Sequence, residues 1–246
     1  MNTRIFDSHL VRHVTRAVMP MACVVFTILP ATVTAETRWQ ENGHELVFNM
    51  DIPYPDDPSS NELIQRDVYE FRSLVMENTE ISLITISGRG GYGPAGQRIA
   101  DTILRLGFDT HAFERCSSAC ARIFLAGATR TLAEDAELGF HRAYVLGEEE
   151  QSYYLANRES RGWEDEFDYV EFIYDVASTD MRQTVEFMVS RGVSIDFILE
   201  AQTYGPFEIW TPDPETLFKR GVITEMPDWA RRHRSDQFPH GEDRAP

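Results

Sequence analysis

CSSACARIFLAG, residues 116–127, followed by LGFH at residues 138–141, decides how this chain is read. The first stretch puts Ser118 where a strand turns into an apolar helix closed by Gly127, and the second ends a short strand on His141. A serine placed there gains a helix N-terminus whose free N–H groups favour negative charge, and a base near enough to take its proton. That is the outline of a serine nucleophile. The plainer reading of Ser118 is an N-cap, and of His141 a satisfied half-buried strand residue.

Working outward, strands alternate with helices. Residues 45–52 (ELVFNMDI) read as a strand, 53–60 as a loop rich in Pro, Asp and Ser, and 61–78 as a helix with Leu63, Val68, Phe71 and Val75 on its apolar side. Residues 81–86 form a short apolar strand, and after a glycine-rich turn 95–106 form a helix with Ile99, Ile103 and Leu106 on one face and Gly107 as its stop. Residues 108–114 read as a strand, 118–126 as a helix and 138–141 as a strand. This alternation predicts parallel pairing and an α/β domain. Residues 147–168, with Glu148-Glu149-Glu150, read as a solvated loop or helix face. Residues 169–190 return to helical spacing with Phe172, Val176, Val185 and Met188 facing inward, and short helices are expected over 194–202 and after Thr211-Pro212-Asp213-Pro214.

Composition sets the outer bounds. The 246 residues carry a formal charge of −17, which disfavours nucleic acid and anionic membranes as partners. Arg4, Arg12 and Arg16 precede an apolar run over residues 17–33, and Val33-Thr34-Ala35 ends in small residues. This is the layout of a signal segment over 1–35, and it sends a domain over 36–226 and a polar tail over 227–246 to the periplasm or outside the cell. The alternative is an uncleaved inner-membrane anchor, which Pro20 and Pro30 disfavour. After cleavage only Cys116 and Cys120 remain. Their spacing allows a disulfide in an oxidising compartment, or two small buried thiols. Neither a metal nor a cofactor is expected, because no second Cys or His pair stands at ligand spacing.

The glycine-rich turn Gly88-Arg89-Gly90-Gly91-Tyr92-Gly93 fits a dinucleotide fingerprint in letter, with Glu114 near the ribose-acid position. Pro94 stands where that fingerprint needs a free helical N–H, and export removes the chain from free nicotinamide cofactor. A second reading accounts for more residues. Ser87-Gly88-Arg89-Gly90-Gly91 resembles the Asn-Ser-Pro-Gly-Gly turn of the Clp protease proteolytic subunit family, Cys116-Ser117-Ser118-Ala119 its nucleophile turn, and Leu138-Gly139-Phe140-His141 its strand ending in the catalytic histidine. WTPDPETLFKRGVIT, residues 210–224, resembles the family's late helix segment.

That resemblance implies a ClpP/crotonase-like spiral of repeated β-β-α units with a mostly parallel sheet. It implies Ser118 as nucleophile, His141 as base, and the N–H groups of Gly91 and Ala119 as oxyanion donors, acting on a peptide or a small ester or amide. Arg89 stands where the family has proline, and no Asp occupies the window from 204 to 210 that should supply the third catalytic residue. Glu208 is the nearest acid there, with Asp213 behind it. Assembly with further copies of the chain stays open, while an ATP-driven partner is not expected outside the cytosol. The same resemblance admits a non-catalytic binding or scaffold protein.

Overall fold

The computed structural model describes residues 37–142, 147–205 and 207–231, so the expected export segment and most of the expected tail lie outside the described residues. Six strands form one sheet: β1 (Trp39–Asn42), β2 (Glu45–Asn49), β3 (Leu83–Gly88), β4 (Asp109–Ser117), β5 (Arg130–Leu132) and β6 (Glu137–Gly139). They lie in the order β1-β2-β3-β4-β5, with β6 also on β4. Among these six strands only the β1–β2 hairpin is antiparallel and the other pairings are parallel, as the α/β alternation requires. Among the described residues the helices that connect or follow the strands are α1 (Gln65–Glu77), α2 (Gly93–Leu106), α3 (Ala119–Leu125), α4 (Gly147–Arg161), α5 (Glu166–Ser190), α6 (Ile195–Ala201) and α7 (Pro214–Lys219).

The apolar stripes behave as their spacing demands. Leu63 ahead of α1 and Val68, Phe71 and Val75 on it are all buried, and α2 packs beside both α1 and α3 through Ile99 and Ile103. Burying each such side chain stabilises the fold by about 1.5–3 kcal/mol. Leu106, in the last turn of α2, stays half exposed, and so does Val176 on α5. The α5 helix runs for 25 residues, yet only Tyr169 and Met188 are buried on it. Four of its neighbours in the ring cluster, Tyr153, Tyr154, Trp163 and Phe172, surround Tyr169 instead of joining the main core. At the other end, residues 228–231 make a helical turn that sets Trp229 against the core, so the expected tail begins as packed structure.

A bulge in β4 shapes the site. Ile86 faces Ala112 and Gly88 faces Cys116, so Ser87 alone stands opposite Phe113, Glu114 and Arg115. Glu114 takes a positive φ of 50° there. Below the bulge β4 pairs with β5 through residues 110–112; above it, residues 115–117 pair with β6. Extra residues in one strand bend and twist it, and here the strand changes neighbour across the bend.

A buried ion pair anchors the first strand. Arg38, at 4% exposure, donates to both oxygens of fully buried Asp67 at 2.7 Å, and to the carbonyls of Met50, Ile52, Ser60 and Glu62. Asp67 also accepts from the Tyr54 hydroxyl and the Ile64 N–H. Burial, with Asp67 adding its charge, pushes the Tyr54 phenol well above its ordinary range, so it stays a donor. The clamp fixes the 50–64 loop, whose end pairs with the glycine turn: Leu63 N–H donates to Gly90 O and Tyr92 N–H to Leu63 O.

Candidate active site

The turn from β4 into α3 is built around one strained residue. Ser118 sits at φ 58°, ψ −121°, a conformation sparsely populated by residues other than glycine. Three contacts over-determine it. Its N–H donates to Gly139 O at 2.9 Å, its carbonyl accepts from Arg122 N–H at 3.2 Å, and the Cys116–Cys120 disulfide bridges the turn on either side. Of the two readings open for the cysteines, the structure holds the bond, with the α-carbons 5.1 Å apart.

The glycine turn closes on this serine turn. A Cβ placed on Gly90 would lie 2.9 Å from Ala119 N and 2.6 Å from Ser117 O, so only glycine allows the two loops to touch. Gly91 is held at φ 137° by its bridge to Leu63. Among the described residues, neither the Gly91 nor the Ala119 N–H donates to a protein acceptor. Both line the same cleft.

Parallel pairing brings the histidine to the same place. Ser117 faces Gly139 in the β4–β6 register, so the chain leaves β6 for His141 alongside the turn that carries Ser118. Phe140 and Trp210 then exchange backbone bonds of 2.9 Å in both directions, and Arg142 N–H donates to Tyr204 O, which pins the histidine segment between β6 and residues 204–210. The Nδ1 of His141 lies 2.7 Å from the Arg142 carbonyl. A carbonyl can only accept, so Nδ1 carries the proton in this bond.

Ser118, His141, Gly91 and Ala119 all line one cleft of about 1000 Å³ at the C-terminal ends of the parallel strands, where α/β sheets open to ligands. Ser117 lines it too, with its hydroxyl buried and lacking a hydrogen-bond partner among the described residues. The two acids considered for the third position fall elsewhere. Glu208 is exposed and does not line the cleft; Asp213 caps α7, accepting from Thr216 N–H at 2.9 Å and from the Thr216 hydroxyl at 2.8 Å. Sequence reasoning passed over Arg122, which lines the cleft one turn beyond Ser118 and bonds to Gln97 on α2 and Thr184 on α5. Its i+4 spacing from Ser118 was the available signal.

No protein-family model and no curated protein matches this chain. Solved structures to which it is similar include ClpP1 from Listeria monocytogenes, at 14% identity and a TM-score of 0.47 over 67% of this chain and 85% of that one. They also include an enoyl-CoA hydratase/isomerase from Marinobacter aquaeolei, at 13% identity and a TM-score of 0.43 over 81% of this chain and 74% of that one. At these identities, and with TM-scores below 0.5, the likeness assigns no activity.

Proposed function

We propose that this chain is an exported serine hydrolase, a Clp-like peptidase or esterase that works through a Ser118–His141 pair. The observation that carries the reading is the strained Ser118 at the strand-to-helix turn, in one cleft with His141. Strain of about 1–3 kcal/mol persists only where the surroundings impose it, and such residues cluster at reacting centres. In the reaction, Ser118 Oγ forms a bond to the substrate carbonyl carbon while His141 Nε2 takes its proton. The oxyanion sits against the N–H groups of Gly91 and Ala119. Collapse breaks the bond to the leaving group, which departs with the proton from His141; water then repeats the sequence and frees the acid.

The Arg142 carbonyl performs one of the tasks of a triad acid, fixing the tautomer of His141, but it lacks the negative charge that would stabilise the imidazolium. Slow turnover of activated substrates is therefore expected. The Cys116–Cys120 disulfide supports an oxidising destination, and the exposed apolar residues Phe167 and Tyr174 on α5 support assembly with further copies.

A fluorophosphonate probe tests the reading on the chain from residue 36. Labelling at Ser118, absent in Ser118→Ala and strongly slowed in His141→Ala, is the expected result. A folded protein that stays unlabelled over hours would sink the hydrolase reading and leave a binding or scaffold role on the same cleft.

A further inference from the structure

The charge balance of the cleft runs against that of the whole protein. The chain has 23 Lys and Arg against 40 Asp and Glu, yet four arginines, Arg89, Arg98, Arg115 and Arg122, line the cleft beside only three acids. Arg89 and Arg115 share a single carboxylate, that of Asp51, so the pair carries one positive charge beyond its counterion. Arg98 bonds a neutral amide, the Gln65 Oε1. These three are exposed and worth little to a ligand by themselves.

Arg122 differs in kind. It is half-buried, and its two hydrogen-bond partners are neutral: the Gln97 amide oxygen at 2.8 Å and the Thr184 hydroxyl. Among the described residues it makes no ion pair. Asp180 and Asp101 act on it only at longer range, and burial outweighs them, pulling the guanidinium below its ordinary range. A guanidinium withdrawn from water without a carboxylate is costly, and proteins ordinarily pair such a group or complete it with a ligand. Its bonds to Gln97 on α2 and Thr184 on α5 hold it in the wall of the cleft that Ser118 also lines. A cation fixed in the same cleft as the serine suits a carboxylate carried on the side chain next to the attacked carbonyl.

We propose that the cleft is specific for acidic acyl groups, a glutamyl or aspartyl residue whose side-chain carboxylate pairs with Arg122 while its carbonyl faces Ser118. This rests on the hydrolase reading for the position of the carbonyl, and on Arg122 alone for the carboxylate. Arg98, Arg89 and Arg115 supply a field that favours anionic substrates over the rest of this acidic surface.

The test compares the 4-nitrophenyl esters of N-acetylglutamate and N-acetylglutamine, which differ by one charge at nearly equal shape. The glutamyl ester is expected to be turned over with a kcat/KM at least ten-fold higher. Arg122→Met brings that ratio to near one, Arg122→Lys restores part of it, and Arg105→Met on the far end of α2 leaves it in place. Equal turnover of the two esters by wild-type protein, dependent on Ser118, overturns the substrate class and leaves the hydrolase reading standing. If neither ester is turned over through Ser118, calorimetric binding of N-acetylglutamate and N-acetylglutamine decides. Ten-fold tighter binding of the acid sustains the assignment after the hydrolase reading has failed, and equal binding removes both. The wild-type comparisons need no variant, so a misfolded Arg122→Met does not shield the proposal.

Discussion

The two ends of α3 are built on opposite terms. At its C-terminal end the carbonyls are engaged by side chains: Phe124 O accepts from Thr110 Oγ1, Leu125 O from Arg191 Nε, and Gly127 O from both Arg130 and Arg191. Arg130 donates further to the carbonyls of Arg191, Gly221 and Val222, and burial, with the neighbouring Arg191 adding to it, pulls its pKa down to about 10. At the N-terminal end the Ala119 N–H has no acceptor among the described residues, and Ser118 supplies no side-chain cap. Native proteins leave few buried polar groups unsatisfied. One helix is thus engaged where it packs and open where it meets the cleft, and the proposed reading puts its chemistry at the open end.

The largest effect should come from the engaged end. Arg130→Met takes a side-chain donor from four carbonyls, of which only Gly127 O keeps another in Arg191, and is expected to lower stability by about 3 kcal/mol, a fall in Tm of roughly 10 °C for a chain of this size. Thermal unfolding followed by circular dichroism measures it, and an unchanged Tm would show that the engaged end is not what holds α3. Next comes the clamp around the open end. Cys116→Ala with Cys120→Ala opens a loop with a sequence separation of 4. By chain entropy that costs about 2 kcal/mol, and it should also slow fluorophosphonate labelling, since the strained turn loses one of its restraints.

Ser118→Gly should act with the opposite sign. Glycine occupies a positive φ without a Cβ penalty, so denaturant unfolding should show a gain of about 1 kcal/mol while labelling vanishes. A loss of stability there would mean that the turn is not strained and would undo the contrast between the two ends. The smallest effect is expected at Glu208. Because it is exposed and outside the cleft, Glu208→Gln should keep ester turnover within about two-fold of wild type; a drop of ten-fold or more would return it to the role of orienting His141.

Which parts were legible from the sequence follows the same physical division. The turns at 87–91 and 116–120 stood out because close backbone approach restricts them to small residues, as the contact of Gly90 with the serine turn shows. The parallel sheet followed from alternating periods. β1 and β5 were missed because they are only four and three residues long, and β1 is mostly exposed and polar. The bulge in β4 left no mark, since the residues of a bulge need no particular letters. Arg38, Arg130 and Arg191 went unread because most of their partners are backbone carbonyls, which every residue possesses. Glu208 was placed by proximity in sequence, whereas in the fold Tyr204 and Trp210 bond to the histidine segment and the Glu208 N–H turns back to Gly205 O.

The Arg38 clamp has a consequence for the order in which the cleft comes together. Arg38 and Asp67 are separated by 29 residues, whereas the bond from Arg130 to Val222 closes 92. Loop-closure entropy makes the longer closure dearer by about 1 kcal/mol, and in a chain that emerges from its N-terminus the shorter one has all its residues first. The glycine-turn wall of the cleft is therefore expected to form before the wall that supports the end of α3. Pulsed hydrogen exchange during refolding should find β2 and β3 protected ahead of α7, and simultaneous protection would reject this order.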